Sequence, residues 1–135
     1  MDLVKTIENT LEQLFEKGNL EIIPITFSEK YLAHAGEKTY HGHQFIRQFS
    51  TQLRRALPDV KIQHIEIISE SENVISWQRT FSGTHEVALK GIPASHKKLK
   101  WKEMLVTKFE NDKIVEEWIL SDLALQLILK QVAKH

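Results

Sequence analysis

LKWKEMLVTKFENDKIVEEWIL, Leu99 to Leu120, is the stretch on which the fold turns. Two strand-like runs flank Asn111-Asp112, a dipeptide suited to the two-residue turn that joins antiparallel strands. A turn there pairs Glu110 with Lys113, Phe109 with Ile114, Thr107 with Glu116, Leu105 with Trp118, Glu103 with Leu120 and Trp101 with Asp122. Side chains alternate along a strand, so the paired residues share one face. That face carries Trp101, Glu103, Leu105, Trp118 and Asp122, and the opposite face carries Lys102, Met104, Val106, Lys108, Val115, Glu117 and Ile119. Aromatic walls with a few polar groups suit a small-molecule pocket, which assigns the first face to the interior. A slip of one residue would exchange one strand's side chains between the faces.

Working outward, Val60–Ser69 and Val74–Gly83 also read as strands, joined by the turn Glu70-Ser71-Glu72-Asn73. Upstream the period becomes helical. Leu3, Val4, Ile7, Leu11, Leu14 and Phe15 predict a helix over about 3–17, with Asp2 as its cap and Gly18-Asn19 as its end. A short helix is expected near Leu20–Ile23 and a strand-like or irregular segment over Phe27–His34. Phe45, Ile46, Phe49, Leu53 and Leu57 predict a helix over about 42–56, stopped by Pro58. A last helix carries Leu123, Leu127 and Ile128. Helices, then antiparallel strands, then a helix make an α+β layout, with helices on one face of a curved sheet. Such a sheet tends to enclose a space. The long connector 84–98, with its Gly91-Ile92-Pro93 bend, is expected to help close one end of that space.

The 135 residues are expected to form one domain over 1–135, long enough for a core without staples. Eighteen acidic side chains balance eighteen basic ones, which gives no global reason to bind nucleic acid or an anionic membrane. With no cysteine, disulfide and thiolate chemistry are excluded, and a cytoplasmic location is compatible. The N-terminal segment, with Asp2, Glu8 and Glu12, does not read as a signal peptide, and no run is apolar enough to span a membrane. Lys97-Lys98, Lys100, Lys102 and the pair Arg54-Arg55 read as solvated surface. No phosphate-binding loop or nucleophile elbow occurs.

Among the chemistry-bearing residues, Asp122 has two readings. It is an acid/base group in the pocket, or an acid favoured electrostatically at a helix start. Glu103 is a second pocket carboxyl or a solvated strand residue. If both are buried together, repulsion favours one shared proton. Trp77, Trp101 and Trp118 are core or pocket wall. His41-Gly42-His43 has no matching acid ligand pattern, so no metal site is assigned. His85 either secures a strand end or reaches the pocket.

The order of Leu53-Arg54-Arg55-Ala56-Leu57-Pro58-Asp59, Trp77, Phe81, Gly83-Thr84-His85, Gly91-Ile92-Pro93, Phe109 to Trp118 and Ser121-Asp122-Leu123-Ala124-Leu125 resembles the SnoaL-like polyketide cyclase family of the nuclear transport factor 2-like superfamily. The resemblance covers nearly the whole chain and is densest over 42–131. It implies a cone-shaped, curved antiparallel sheet covered by N-terminal helices, enclosing one pocket, in a homodimer formed through the outer sheet face. It implies an apolar or polyketide-like ligand, ring closure by intramolecular aldol condensation without metal or organic cofactor, and an acid near the last strand as general acid/base. Isomerases, hydrolases and non-catalytic pocket proteins share the superfamily. Asp122 and Glu103 are the catalytic candidates, and His34, Trp77, Trp101, Leu105 and Trp118 the binding candidates. His34 stands where relatives often have a pocket-facing histidine. The chain departs from the pattern directly after Trp118, where many relatives have an acid and this one has Ile119.

Overall fold

The computed structural model describes residues 2–132. At the decisive hairpin, Asn111 and Asp112 adopt φ of 53° and 62°, the paired left-handed geometry of a type I′ turn. The turn therefore forms where the sequence predicts it, between β5 (Lys98–Glu110) and β6 (Lys113–Ser121).

The register beyond the turn differs from the simple hairpin. Glu110 faces Lys113 and Phe109 faces Ile114, but Lys108 then faces Glu116, Val106 faces Trp118, Leu105 faces Ile119 and Glu103 faces Ser121. Val115 is the extra residue of a β-bulge, and beyond it every β6 side chain changes face. Trp118, expected beside Trp101 and Leu105, is 42 % exposed on the outer face, whereas Glu117 is 6 % exposed and turned inward. The bulge keeps both Phe109 and Ile114 buried at the hairpin tip while reversing the rest of the strand.

Six strands form one sheet in the order β2-β1-β6-β5-β4-β3. Here β1 is Phe27–Ala35, β2 Lys38–His41, β3 Lys61–Glu70 and β4 Val74–Thr84. The expected all-antiparallel sheet is corrected at one seam, since β1 runs parallel to β6, with Ala33 facing Glu117 and His34 facing Trp118. Strand β2 was not foreseen, because four mostly exposed residues carry little hydrophobic signal.

Helix α1 (Leu3–Leu11) starts with the Asp2 carboxylate accepting from the Lys5 N–H, as expected of an N-cap. The predicted long helix then widens into a π-helical turn, Glu12–Glu16. Its end carbonyls are answered from α3 (Gln44–Ala56). Arg54 donates to the Phe15 and Glu16 carbonyls, and Ser50 donates to that of Leu14 at 2.8 Å. A short α2 (Ile22–Thr26) leads into β1, and α4 (Leu123–Val132) closes the described chain. The helices lie on the inner sheet face: the Phe15 ring meets Phe81 of β4 at 5.2 Å and Phe49 of α3 at 5.6 Å, both edge-on.

Where α3 ends, the chain passes close to β4. A Cβ on Gly83 would sit 2.8 Å from Leu57 Cδ2 and 3.3 Å from the Val60 backbone. Gly83→Ala is therefore expected to cost about 1–3 kcal/mol in urea unfolding, since a buried leucine and a main chain must both shift. An unchanged midpoint would show that this contact has slack.

The connector 85–97 is ordered rather than loose. His85 and Lys97 hold its root through the bonds His85 N–H to Lys97 O and His96 N–H to His85 O. Its tip is a turn at Lys90-Gly91, with φ of 53° and 75°, closed by reciprocal bonds between Leu89 and Ile92. Glu86 N–H ties it to the end of α3, and the Gln131 amide of α4 donates to the Pro93 carbonyl. The His85 ring is buried with both nitrogens unpartnered, so it packs instead of bonding the strand end, and burial lowers its pKa.

Candidate functional site

Inward-facing residues of β4 and β5 place Arg79, Trp101 and Glu103 at the middle of the sheet. Glu103 is 1 % exposed and accepts from four donors. Arg79 gives Oε1 two bonds, Nε at 2.8 Å and Nη2 at 2.6 Å. Ser121 Oγ at 2.7 Å and the Trp101 indole N–H at 3.3 Å serve Oε2. The Arg79 guanidinium lies among the rings of Phe15, Trp77 and Phe81, 5.1–5.5 Å from their centroids. Aromatic faces attract a cation, and the carboxylate answers its charge, so both ions tolerate burial.

A second carboxyl, Glu117, is also buried. Tyr31 O–H donates to its Oε1 at 2.7 Å and Thr107 O–H to its Oε2 at 2.6 Å, while the Trp77 N–H donates to Thr107. Burial raises the Glu117 pKa, opposed in part by those two hydrogen bonds and by the Arg79 charge. Burial, followed by the neighbouring Glu117 charge, also raises Tyr31 well above the ordinary phenol range.

The sign of the resulting pH dependence follows. A carboxyl whose folded pKa is raised contributes most below its unfolded value and loses that contribution as pH rises through the folded one. Glu117→Gln, the isostere of the protonated acid, should flatten this loss. As pH rises above the ordinary carboxylate range, the wild type is expected to lose stability relative to the variant, by roughly 1.4 kcal/mol for each pH unit separating the two values. Parallel stability–pH curves for the two proteins would show that Glu117 is ionised throughout.

Two compartments adjoin these carboxyls and share Phe45, Phe49 and Ile119 as walls. The roomier one, about 350 Å³, presents Glu103, Ser121 and Tyr40 and is rimmed by Lys90 from the connector tip. The inner one has about 30 Å³ and is lined by Trp77, Arg79 and Glu117. That is space for a water-sized group beside Glu117.

The residues singled out by sequence are not all brought together. Glu103 faces the larger compartment and Trp77 the inner one. Trp101 and Leu105 are buried on the same inner surface, Trp101 stacked on Phe81 at 5.0 Å. Asp122 instead clasps β5 to the start of α4. Its carboxylate accepts from the Lys102 N–H at 2.7 Å and its own N–H donates to the Lys102 carbonyl. His34 and Trp118 stack together at 5.2 Å on the outer face, where His34 meets Glu116 at 2.6 Å and Thr39 at 3.0 Å.

Reasoning from sequence missed Glu117, Arg79, Tyr31, Tyr40 and Ser121. Period-two patterning had no purchase on β6, because KIVEEWILS places apolar residues on both alternating sets. Among the described residues, no cluster of three potential metal ligands occurs, and no helix is long and apolar enough to cross a membrane.

Solved structures repeat this architecture. A SnoaL-like protein of Jannaschia sp. CCS1 superposes with a TM-score of 0.82 at 12 % identity, over 98 % of this chain and 92 % of that one. A SnoaL-like polyketide cyclase of Agrobacterium tumefaciens C58 gives 0.77 at 16 % identity, over 98 % of each. IdmH of Streptomyces antibioticus gives 0.76 at 18 % identity, over 98 % of this chain and 99 % of its own. At such identities the likeness speaks for the fold alone. No curated protein sequence matches significantly. The sequence profile of the SnoaL-like polyketide cyclases matches residues 5–131, from the first helix through the last. With that span, and the helix-covered curved sheet around an acid-bearing interior, the chain belongs to the SnoaL-like polyketide cyclase family.

Proposed function

We propose that this protein binds a small, largely apolar molecule in the 350 Å³ compartment and acts on it by acid–base chemistry that uses no cofactor. The observation that carries the proposal is Glu103: a carboxylate almost wholly removed from water, held by Arg79, and facing free space walled by Tyr40, Phe45, Phe49 and Ile119.

Four donor atoms hold the Glu103 carboxylate in place, and a carboxylate is a weak base. A weak base can take a proton only from an acidic carbon, which favours a carbon flanked by two carbonyls. A poly-β-ketone supplies such carbons, and its enolate can attack a further carbonyl of the same chain to close a ring. Ser121 O–H, already bonded to Glu103, is placed to protonate the resulting alkoxide and to be reprotonated from the acid. Isomerisation or hydrolysis of a related carbonyl compound could use the same pair.

A second reading, binding or carriage without turnover, is favoured by Ile119. Its apolar side chain walls both compartments at the position where many relatives have an acid, and the Asp122 carboxylate is committed to backbone. One experiment separates the two. Quenching of tryptophan fluorescence by a linear poly-β-ketone ester reports binding, and chromatography of the same mixture reports ring closure. Saturable binding with accelerated cyclisation supports the enzyme. Binding with cyclisation no faster than in buffer leaves the carrier.

The proposal includes a homodimer in the cytoplasm. Its support is an apolar row on the outer sheet face, Met104 at 47 %, Trp118 at 42 % and Leu120 at 71 % exposed. Leu120→Glu should convert a dimer to monomer in light scattering at micromolar concentration. A monomeric wild type would remove this part of the proposal.

A further inference from the structure

The lysines that look like scattered surface charge in the sequence are gathered by the fold. Lys61 of β3, Lys98 and Lys100 of β5 and Lys130 of α4 line one groove of about 540 Å³, together with Gln63, Ser82 and Leu99. The register explains the convergence. Ser82 on β4 pairs with Lys61 on one side and Lys100 on the other, and Thr84 beside it pairs with Lys98. Strands lie about 4.8 Å apart, so Lys61 and Lys100 stand roughly 10 Å from each other across Ser82. Helix α4 adds Lys130 from the side.

We propose that this groove is a binding site for a phosphate ester, separate from the interior cavity. Its polar lining is made of ammonium, amide and hydroxyl groups, and none is a carboxylate. Ser82, 1 % exposed, forms the floor of the groove, and its Oγ accepts from the Gln63 amide at 2.6 Å, a bond that does not use its own proton. Among the described residues none of the four lysines forms an ion pair. Asp59, which feels the Lys98 charge, is held by the Thr84 N–H and hydroxyl, and Glu16 accepts from the Ile62 N–H beside Lys61. In a chain of zero net charge, four clustered ammonium groups are not a consequence of composition. They repel one another, and a compact dianion relieves that repulsion.

The shape selects the occupant. The groove has room for a nucleotide or a sugar phosphate. A polymer would need a basic stripe continuing along the surface, and beyond Lys102 the outward row of β5 passes to Met104 and Val106.

Pyrophosphate and adenosine 5′-monophosphate are the probes, titrated into the whole protein at low salt and followed by amide chemical shifts. Saturable binding with a Kd of roughly 0.1–1 mM is expected, with shifts centred on Lys61, Ser82, Lys100 and Lys130. Lys61→Met and Lys100→Met should each weaken it roughly tenfold, while Lys30→Met, on β1, should leave it unchanged. Ser82→Ala alters no charge and should weaken it several-fold, which diffuse attraction would not do. Circular dichroism confirms that each variant folds, and Ser82→Gly serves if Ser82→Ala does not. The proposal is overturned if neither probe saturates, if Lys30→Met weakens binding as much as Lys100→Met, or if Ser82 is indifferent. It is overturned equally if poly-glutamate or anionic vesicles compete at far lower concentration than the phosphates.

Discussion

Arg79→Met is expected to destabilise the protein by about 3–5 kcal/mol, the largest effect foreseen for any single substitution here. The loss does not come from the arginine's own bonds alone. Removing the guanidinium leaves the almost completely buried Glu103 carboxyl without its countercharge, with only Ser121 and Trp101 still donating to it. Glu117 also loses the nearest opposing charge and is pushed further toward its protonated form. The argument is checked by adding Glu103→Gln. The amide oxygen still accepts from Trp101 and Ser121, but the stranded charge is gone, so most of the lost stability should return. Urea unfolding of the wild type, both single variants and the double variant gives the coupling directly. A double variant as unstable as Arg79→Met would show that methionine simply packs badly among Phe15, Trp77 and Phe81.

On the proposed acid–base function, Glu103→Gln alone should lower kcat for ring closure by roughly 10²–10⁴-fold, the usual contribution of a positioned general base. KM should change little, because the amide has the same shape and faces the same walls. Ligand quenching of tryptophan fluorescence should persist, which separates lost chemistry from lost binding. Asp122→Asn is the matched control. Its side-chain oxygen can still accept from the Lys102 N–H, so activity should stay close to wild type. Full activity in Glu103→Gln, or its loss in Asp122→Asn with the fold intact, would move the working acid to the start of α4.

The sequence alone carried most of the architecture. Long helices with one apolar face, β-branched runs and a turn dipeptide are local signals, and each element they predict is present within a few residues. The α+β layout and the type I′ turn at Asn111-Asp112 follow from them. The inward burial of Glu103 was legible for the same reason, because β5 alternates cleanly: Leu99, Trp101, Glu103, Leu105, Thr107 and Phe109 are all buried.

The contents of the site were decided by contacts that no local pattern records. Val115 bulges because β6 must satisfy β5 on one edge and the parallel β1 on the other. That one extra residue sends Trp118 outward and Glu117 inward. Arg79 reads as a charged residue in a strand until Glu103, two aromatic faces of β4 and Phe15 of the π-helical turn surround it. Burial of an ion depends on partners distant in the chain. A sequence read through alternation and turns can say which residues form a strand. Only the assembled sheet says which way that strand faces and which charges meet inside.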